Sequence, residues 1–399
     1  MLVDKPFYLL DNVIQNYAWG SKDSFTKLFD IKNVREQPQA ELWMGAHPNG
    51  CSRIKGTSVL LSDFIEKNQE TVLGSYTAKR FGQLPFLFKI LAAETPLSIQ
   101  VHPNKSSAEA GFTRENTAGI ELNASNRNYK DSNHKPELVY ALTFYRAMNG
   151  FRPVEQIIHL FRTMRIFTLS EEINALELNP NSDGLKQFFI SIMSLGAEKK
   201  EKALSELHTA GERQAASALE REVLQYSKEF SQYYPGDVGL LSPLILNTIE
   251  LQPGEAMFLH AETPHAYVQG TALEIMANSD NVLRAGLTPK YIDIDELVAN
   301  TRFVPLNPDS IVINPLNKNN MLHYPIPVDD FGFEVANVTD HPCEQYVRSP
   351  EILLCIEGQI TISSQGLVET LKPGESLFIN YMAESYSFSG AGKLARAFN

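Results

Sequence analysis

The sequence predicts a mainly β protein carrying a separate helical domain, and three observations lead there. Residues 1 to about 150 read as short strands broken by Gly, Pro and Asn, among them Tyr8-Leu-Leu-Asp-Asn-Val-Ile-Gln15, Pro85-Phe-Leu-Phe-Lys-Ile-Leu91 and Glu137-Leu-Val-Tyr-Ala-Leu142. Many short strands with turn residues between them suit a sandwich or barrel. From Val154 to about Tyr233 the apolar residues recur at helical spacing instead: Ile157, Ile158, Leu160 and Phe161, then Phe188, Phe189 and Ile192, then Leu219, Val223 and Leu224. Strand texture returns near Ile245, where an internal repeat begins. Leu251-Gln-Pro-Gly-Glu-Ala-Met-Phe258 reappears as Leu371-Lys-Pro-Gly-Glu-Ser-Leu-Phe378 at an offset of 120 residues.

Each element has its own reason. Asn179-Pro-Asn-Ser-Asp-Gly184 is a turn between two helical segments. The helical stretch is rich in Glu, Lys, Leu and Ala with no concentrated His or Cys, so it is expected to be a separate helical domain, inserted into or packed beside the β part. Pro-Gly-Glu makes a tight turn and the apolar residues after it make a strand, which resembles the second motif of cupin jelly-roll barrels. The first copy leads to Thr263-Pro-His265, whereas the second has Ser385 at the position of His265. The expected architecture is two cupin-type jelly-roll barrels with an inserted α-helical domain. A catalytic barrel spans residues 1–152 plus 238–318, the helical domain 153–237, and a C-terminal barrel without metal ligands 319–399.

Composition narrows the function. The 399 residues include 35 basic and 47 acidic side chains, a formal charge of −12, with 43% hydrophobic and 21% charged residues. That is a globular composition with ample core. An acidic chain lacks the cationic footprint that phosphate backbones require, so nucleic acid is not an expected partner. No apolar run approaches the roughly 20 residues that span a bilayer, and Met1-Leu-Val-Asp-Lys-Pro lacks a signal-peptide pattern. Cys51, Cys343 and Cys355 form neither a disulfide framework nor a Cys-x-x-Cys zinc pattern. A reducing cytoplasm is the expected setting.

The chemistry concentrates in a few segments. In Pro96-Leu-Ser-Ile-Gln-Val-His102, alternation sends Leu97, Ile99 and Val101 one way and Ser98, Gln100 and His102 the other. A polar face turned to solvent would also explain that pattern. His134-Lys-Pro-Glu137, however, opens another strand with a carboxylate at its mouth, and His265, Tyr267 and Gln269 share a face after the repeated turn. Gln100, His102, Glu137 and His265 together offer two imidazoles, a carboxylate and an amide oxygen. Such a sulfur-free set suits a divalent transition metal and is compatible with catalytic zinc. His159, His208 and His323 lack companion donors and read as ordinary residues, while His47 and His260 adjoin motifs without partners of their own. Glu274 begins a polar segment running to Lys290 through Asn, Asp and Arg, a composition common in functional loops and in solvated turns alike. Lys89 sits on an apolar strand, where a lone charge is costly unless it faces a polar cavity. Lys89, Lys135, Arg284 and Lys290 could together make a local anion site in this acidic chain.

With these residues on the page, the sequence resembles the type I phosphomannose isomerase family. The likeness runs through Asn16-Tyr-Ala-Trp-Gly-Ser21, Ala40-Glu-Leu-Trp-Met-Gly-Ala-His-Pro48, Pro85-Phe-Leu-Phe-Lys89, Leu97-Ser-Ile-Gln-Val-His-Pro-Asn-Lys105, Tyr129-Lys-Asp-Ser-Asn-His-Lys-Pro-Glu137, Pro264-His-Ala-Tyr267 and Glu274 to Lys290. It implies an enzyme with one zinc ion per chain that interconverts mannose 6-phosphate and fructose 6-phosphate. The family's ligand pattern falls on Gln100, His102, Glu137 and His265, and its active-site arginine on Arg284. Moving a proton between C2 and C1 through a cis-enediol(ate) needs a general base, for which Glu274, His134 and Lys135 are the expected candidates. Ser98, Lys89, Lys290, Tyr267 and Asp280 are expected substrate contacts, while Trp19 and Trp43 read as packing residues. The expected partner is a small sugar phosphate, with no membrane and no obligatory protein partner. Two other readings stay open at this point: a cupin oxygenase using His102, His265 and Glu137 as an iron site, and a non-catalytic sugar-phosphate-binding cupin.

Overall fold

A computed structural model describes residues 5–213, 215–318 and 320–399. Two antiparallel sheets, of eleven and ten strands, dominate it. In the larger sheet Val13–Gln15, Glu41–Met44, Phe86–Ala93, His265–Ala277, Glu137–Ala141, Ala256–Leu259 and Val312–Ile313 lie side by side in that order. The long strand His265–Ala277 closes this sheet on itself. Its second half pairs with Phe86–Ala93 and Glu137–Ala141, while its first half pairs with Gln100–Val101 and Tyr145–Phe151.

Alternation along these strands decides where charge can go. Phe86, Phe88, Ile90, Leu138, Tyr140, Leu273 and Ile275 face the layer between the sheets and pack with Phe333, Ile352 and Phe378 of the other one. Each such side chain contributes about 1.5–3 kcal/mol by leaving water, so this face holds the two sheets together. The intervening residues Leu91, Val139, Ala141 and Ala272 line the interior of the first barrel with Tyr145, Ala147 and Leu251. A period of two therefore turns Lys89, Glu137 and Glu274 inward as well. The solitary lysine on an apolar strand is explained by this interior.

The segment from Pro96 to His102 is less regular than its alternation suggests. Only Gln100–Val101 forms a ladder. Leu97 packs inside the barrel, whereas Ile99 and Val101 pack toward the helical core. Gln269 also departs from expectation. A bulge between Tyr267 and Gln269 turns it to solvent, while His265 and Tyr267 stay buried.

The helical region comprises Val154–Met164, Ser170–Leu178, Ser182–Met193, Ala197–Gly211 and Ala218–Tyr233, with a short 3₁₀ turn at Phe167–Leu169. In Val154–Met164 the buried residues are Val154, Ile157, Leu160, Phe161 and Met164, one face of a 3.6-residue helix. Asn181 caps the Ser182–Met193 helix through Asp183 N and Gly184 N, so the expected turn also supplies a helix start. Ser217 caps Ala218–Tyr233 through Glu220 N. Among the described residues four helices lie in the region read as strands: Ser24–Phe29, Leu61–Lys67, Gln69–Phe81 and Lys105–Thr117. The first two are only six and seven residues long, and the other two have faint signals for physical reasons. Gln69–Phe81 is interrupted at Gly74, whose φ is 78°. Lys105–Thr117 buries only Ala108, Gly111 and Glu115, and the Tyr129 ring lies where a Cβ on Gly111 would go, 2.3 Å away.

The repeat is structural. Both copies place a strand before the turn, Leu246–Leu251 and Leu367–Leu371, and another after it, Ala256–Leu259 and Ser376–Ile379. Gly254 and Gly374 have φ of 98° and 82°, and Gln252 N and Lys372 N each donate to the Glu carboxylate three residues on, Glu255 or Glu375. Glu351 in the second copy pairs with Ile379 as Glu137 pairs with Leu259 in the first. Its surroundings differ. Arg396 forks onto the Glu351 carboxylate at 2.6 and 2.7 Å, and the Tyr386 hydroxyl donates to it at 2.9 Å. One boundary shifts from the sequence-based division, because Phe7–Asp11 pairs with Ser376–Ile379 of the C-terminal sheet. Among the described residues, no helix is long and apolar enough to cross a membrane.

Candidate metal centre

Three buried side chains from three strand ends converge. His102, Glu137 and His265 each offer one ligand atom, and these atoms lie within 4.8 Å of one another. Each imidazole is oriented by its far nitrogen: His102 Nδ1 donates to the Asn281 carbonyl at 2.7 Å, and His265 Nδ1 to the Thr263 carbonyl at 2.9 Å. Both carbonyls only accept, so the protons sit on Nδ1 and the Nε2 lone pairs point into the cluster. Each Nε2 stands 3.4 Å from a Glu137 oxygen. His102 Nε2 is buried without a hydrogen-bond partner, the state of a nitrogen arranged for a metal. Gln100 is the register partner of both His265 and Arg284, which puts its side chain on the same face as theirs.

The electrostatics favour a cation site. Burial by itself would raise the Glu137 carboxyl, but Lys135 and His102 outweigh it and hold it well below the usual carboxylate range. Burial, then Lys135, pulls the His102 imidazole down to about 4, so it stays neutral and able to ligate. Lys135 Nζ lies 3.0 Å from Glu137 Oε1.

A line of alternating charge runs from the cluster along the barrel interior. The Tyr267 hydroxyl is 2.9 Å from Glu137 Oε2 and 2.6 Å from Glu274 Oε1. Its single proton serves one of them at a time. Burial, then Glu137 and Glu274, raise this phenol well above its ordinary value, so it remains a donor. Lys89 Nζ donates to Glu274 Oε2 at 2.8 Å and lies 3.9 Å from Glu41. Glu41 in turn accepts from Trp43 Nε1 at 2.5 Å. Burial would lower the Lys89 ammonium, but Glu274 and Glu41 hold it raised.

These contacts revise several expectations. Lys89 was expected to meet phosphate or sugar, yet its charge is committed to Glu274 and Glu41. The four-cation anion site therefore divides, since Lys135 is committed to Glu137 as well. Among the described residues, the side chains of Arg284 and Lys290 have no carboxylate or hydrogen-bond partner. Lys290 is lowered chiefly by Arg284, which sets the two cations near each other. His134 turns to the C-terminal part of the chain, its Nε2 3.0 Å from both Asp330 oxygens. Asp280 faces His47 Nε2 at 3.4 Å and accepts from Asn49 at 2.8 Å, giving His47 the partner that sequence reading left out. Ser98 is half-buried beside this ladder.

Sequence reasoning missed Glu41 and Asn281. Glu41 carried a signal, standing two residues before Trp43 on the same strand face. Asn281 carried none. Fully buried, its amide donates to the Asp131 and Asn133 carbonyls and accepts from Lys130 N, tying the loop before Glu137 to the carbonyl that orients His102.

Comparison with known proteins agrees with this geometry. Family models match in three pieces: phosphomannose isomerase type I catalytic domain over residues 7–154, its helical insertion domain over 164–246, and a mannose-6-phosphate isomerase cupin domain over 320–399. The chain is 50% identical over 393 residues to the mannose-6-phosphate isomerase of Salmonella typhimurium, covering 98% of this chain and 99% of that one. With the human mannose-6-phosphate isomerase the identity is 35%, over 93% and 92% of the two chains. A zinc-bound crystal structure of mannose 6-phosphate isomerase superposes with a TM-score of 0.93 at 49% identity, covering 99% of this chain and all of the other. Its strands, its helical insertion and its near-complete alignment with these enzymes carry one conclusion: the chain belongs to the type I phosphomannose isomerase family.

Proposed function

We propose that this protein interconverts mannose 6-phosphate and fructose 6-phosphate, with one zinc ion held by Gln100, His102, Glu137 and His265. The observation that carries the reading is the buried His102–Glu137–His265 cluster with its orphaned Nε2. When bound, zinc supplies Lewis-acid polarisation of a substrate oxygen without redox change. The chain's own groups do the rest. Arg284 and Lys290, free of carboxylate partners, suit the anionic end of the substrate, and Arg284 stays protonated at any working pH. Lys135 beside Glu137 and Glu274 between Tyr267 and Lys89 are both within the interior from which a proton could be taken from C2 and returned to C1. His134 is the third group suited to that transfer. Ser98, Tyr267 and Asp280 are the groups proposed to contact the sugar.

The catalytic part is residues 12–152 plus 238–318, with the helical insertion at 153–237 and the C-terminal barrel at 319–399 joined by the strand Phe7–Asp11. The substrate is a small sugar phosphate, and the chain works in the cytoplasm without nucleic acid, membrane or obligatory protein partner. The test is conversion of mannose 6-phosphate to fructose 6-phosphate before chelation, after it, and after zinc is restored. Turnover lost and then recovered is the expected result. A zinc-loaded protein without turnover would return the site to a sensor, or to an iron oxygenase if oxygen is consumed with ferrous iron.

A further inference from the structure

Asp330 of the C-terminal barrel reaches the loop before Glu137. Asp330 is buried next to Phe331, which is packed in the layer between the two sheets. Both its oxygens lie 3.0 Å from His134 Nε2. A carboxylate can only accept, so Nε2 must carry a proton. In the neutral ring this leaves the lone pair on Nδ1, which has no partner among the described residues. The loop around His134 is otherwise fixed from the catalytic barrel. Asn133 donates to the Asn278 carbonyl at 3.0 Å, Lys135 meets Glu137, and the Pro136 carbonyl accepts from Ala277 N at 3.2 Å. Among the described residues, His134 is the residue of this loop whose side chain is bonded from the other barrel.

We propose that Asp330 is a positioning residue for the isomerisation, fixing the His134 tautomer and ring orientation so that Nδ1 is the proton-accepting nitrogen beside Lys135. The inference rests on the isomerase reading and gives the metal-free barrel a part in it. A carboxylate behind a working imidazole is a familiar arrangement, and its loss commonly costs one or more orders of magnitude in rate. The adjacent Asp329 provides a control. It pairs with Arg80 at 2.8 Å across an exposed surface, where an ion pair contributes little.

The experiment uses the zinc-loaded full chain. Asp330→Ala is expected to lower kcat by roughly 10- to 100-fold with bound zinc and KM retained, while Asp329→Ala matches the parent. Asp330→Asn presents a donor amide as well as an acceptor oxygen to Nε2, so it no longer fixes the tautomer and should not recover the loss; full recovery would overturn the inference. In a His134→Gln background Asp330→Ala should cost nothing further, because its only route to the chemistry is gone. An equal loss in both backgrounds, or none in the parent, overturns the inference. Nitrogen-15 shifts of the His134 ring decide the matter without turnover. A fixed Nε2–H tautomer in the parent and mixed tautomers in Asp330→Ala support it, and identical spectra overturn it. A parent that turns over no sugar phosphate would sink the isomerase reading instead, leaving the tautomer measurement to judge Asp330.

Discussion

Tyr267→Phe removes a single oxygen from the most crowded point of the site. That oxygen lies 2.9 Å from Glu137 and 2.6 Å from Glu274, so it joins the carboxylate of the metal cluster to the one that faces Lys89. The ring itself is needed for packing and stays. Its neighbours are Tyr145 and His265, with centroids 6.0 and 6.1 Å away, and Phe fills the same space. A hydrogen bond to a charged group contributes about 1.5–3 kcal/mol, equivalent to roughly 10- to 150-fold in an equilibrium constant. One proton serves two carboxylates and the shorter contact is to Glu274, so only part of this reaches the metal. We expect zinc affinity to weaken by about tenfold, the lower end of that range. The remaining effect should appear in kcat at saturating zinc, through a Glu274 held by Lys89 alone. Competition with a chromogenic chelator gives the dissociation constant, and steady-state kinetics in excess zinc gives kcat. If neither quantity changes, the hydroxyl is a bystander and the proposed linkage between the two carboxylates is wrong.

Other outcomes follow from the same geometry. His102→Ala and His265→Ala should each lose both zinc and turnover; stoichiometric zinc with full activity in either would reject the ligand set. Arg284→Ala should keep its zinc, since the residue is not one of the four ligands, but lose most of kcat, and an unchanged rate would remove it from the chemistry. Ser385→His should bind no second zinc by metal analysis, because the Glu351 carboxylate is already held by Arg396 and Tyr386; two zinc ions per chain would contradict this. Burial, then Glu375 and Glu357, push the Cys355 thiol up to about 12, so at pH 8 a thiol reagent should label it only after unfolding. Mass spectrometry of the labelled peptides checks the order, and rapid labelling in the native protein would refute it.

The sequence disclosed what obeys short periods. Alternation of two grouped Gln100 with His102 and His265 with Tyr267, Glu137 stood at the mouth of a strand, and the spacing of Ile157, Ile158, Leu160 and Phe161 marked a helix against a core. The Pro-Gly-Glu turns announced a second barrel through residues a fixed distance apart. Features that depend on long-range pairing stayed hidden. Nothing near Lys89 in the chain says that Glu274 will sit opposite, since that pairing is a matter of register between strands far apart. Nor does anything near His134 point to Asp330. Asn281 looked like one more loop residue, because hydrogen bonds from its amide to a distant loop leave no trace in local composition. The helices of the first region were missed where glycine or small residues made their buried faces shallow, and Gln269 was misplaced because a bulge resets the alternation.

The pairing of Phe7–Asp11 with Ser376–Ile379 has a consequence for how the protein is made. Synthesis delivers Phe7–Asp11 ahead of the catalytic barrel and the helices, and its partner Ser376–Ile379 only after them. Domains usually assemble as they emerge, but this strand must wait, with Phe7 and Tyr8 exposed, while the catalytic barrel and the helices form behind it. The entropic cost of closing so long a loop grows only slowly, by about 0.6 kcal/mol for each doubling, so the delay is one of time more than of stability. A change within Phe7–Asp11 should therefore be felt in the C-terminal barrel, whose strand Ser376–Ile379 it completes, more than in the catalytic barrel that follows it in the chain.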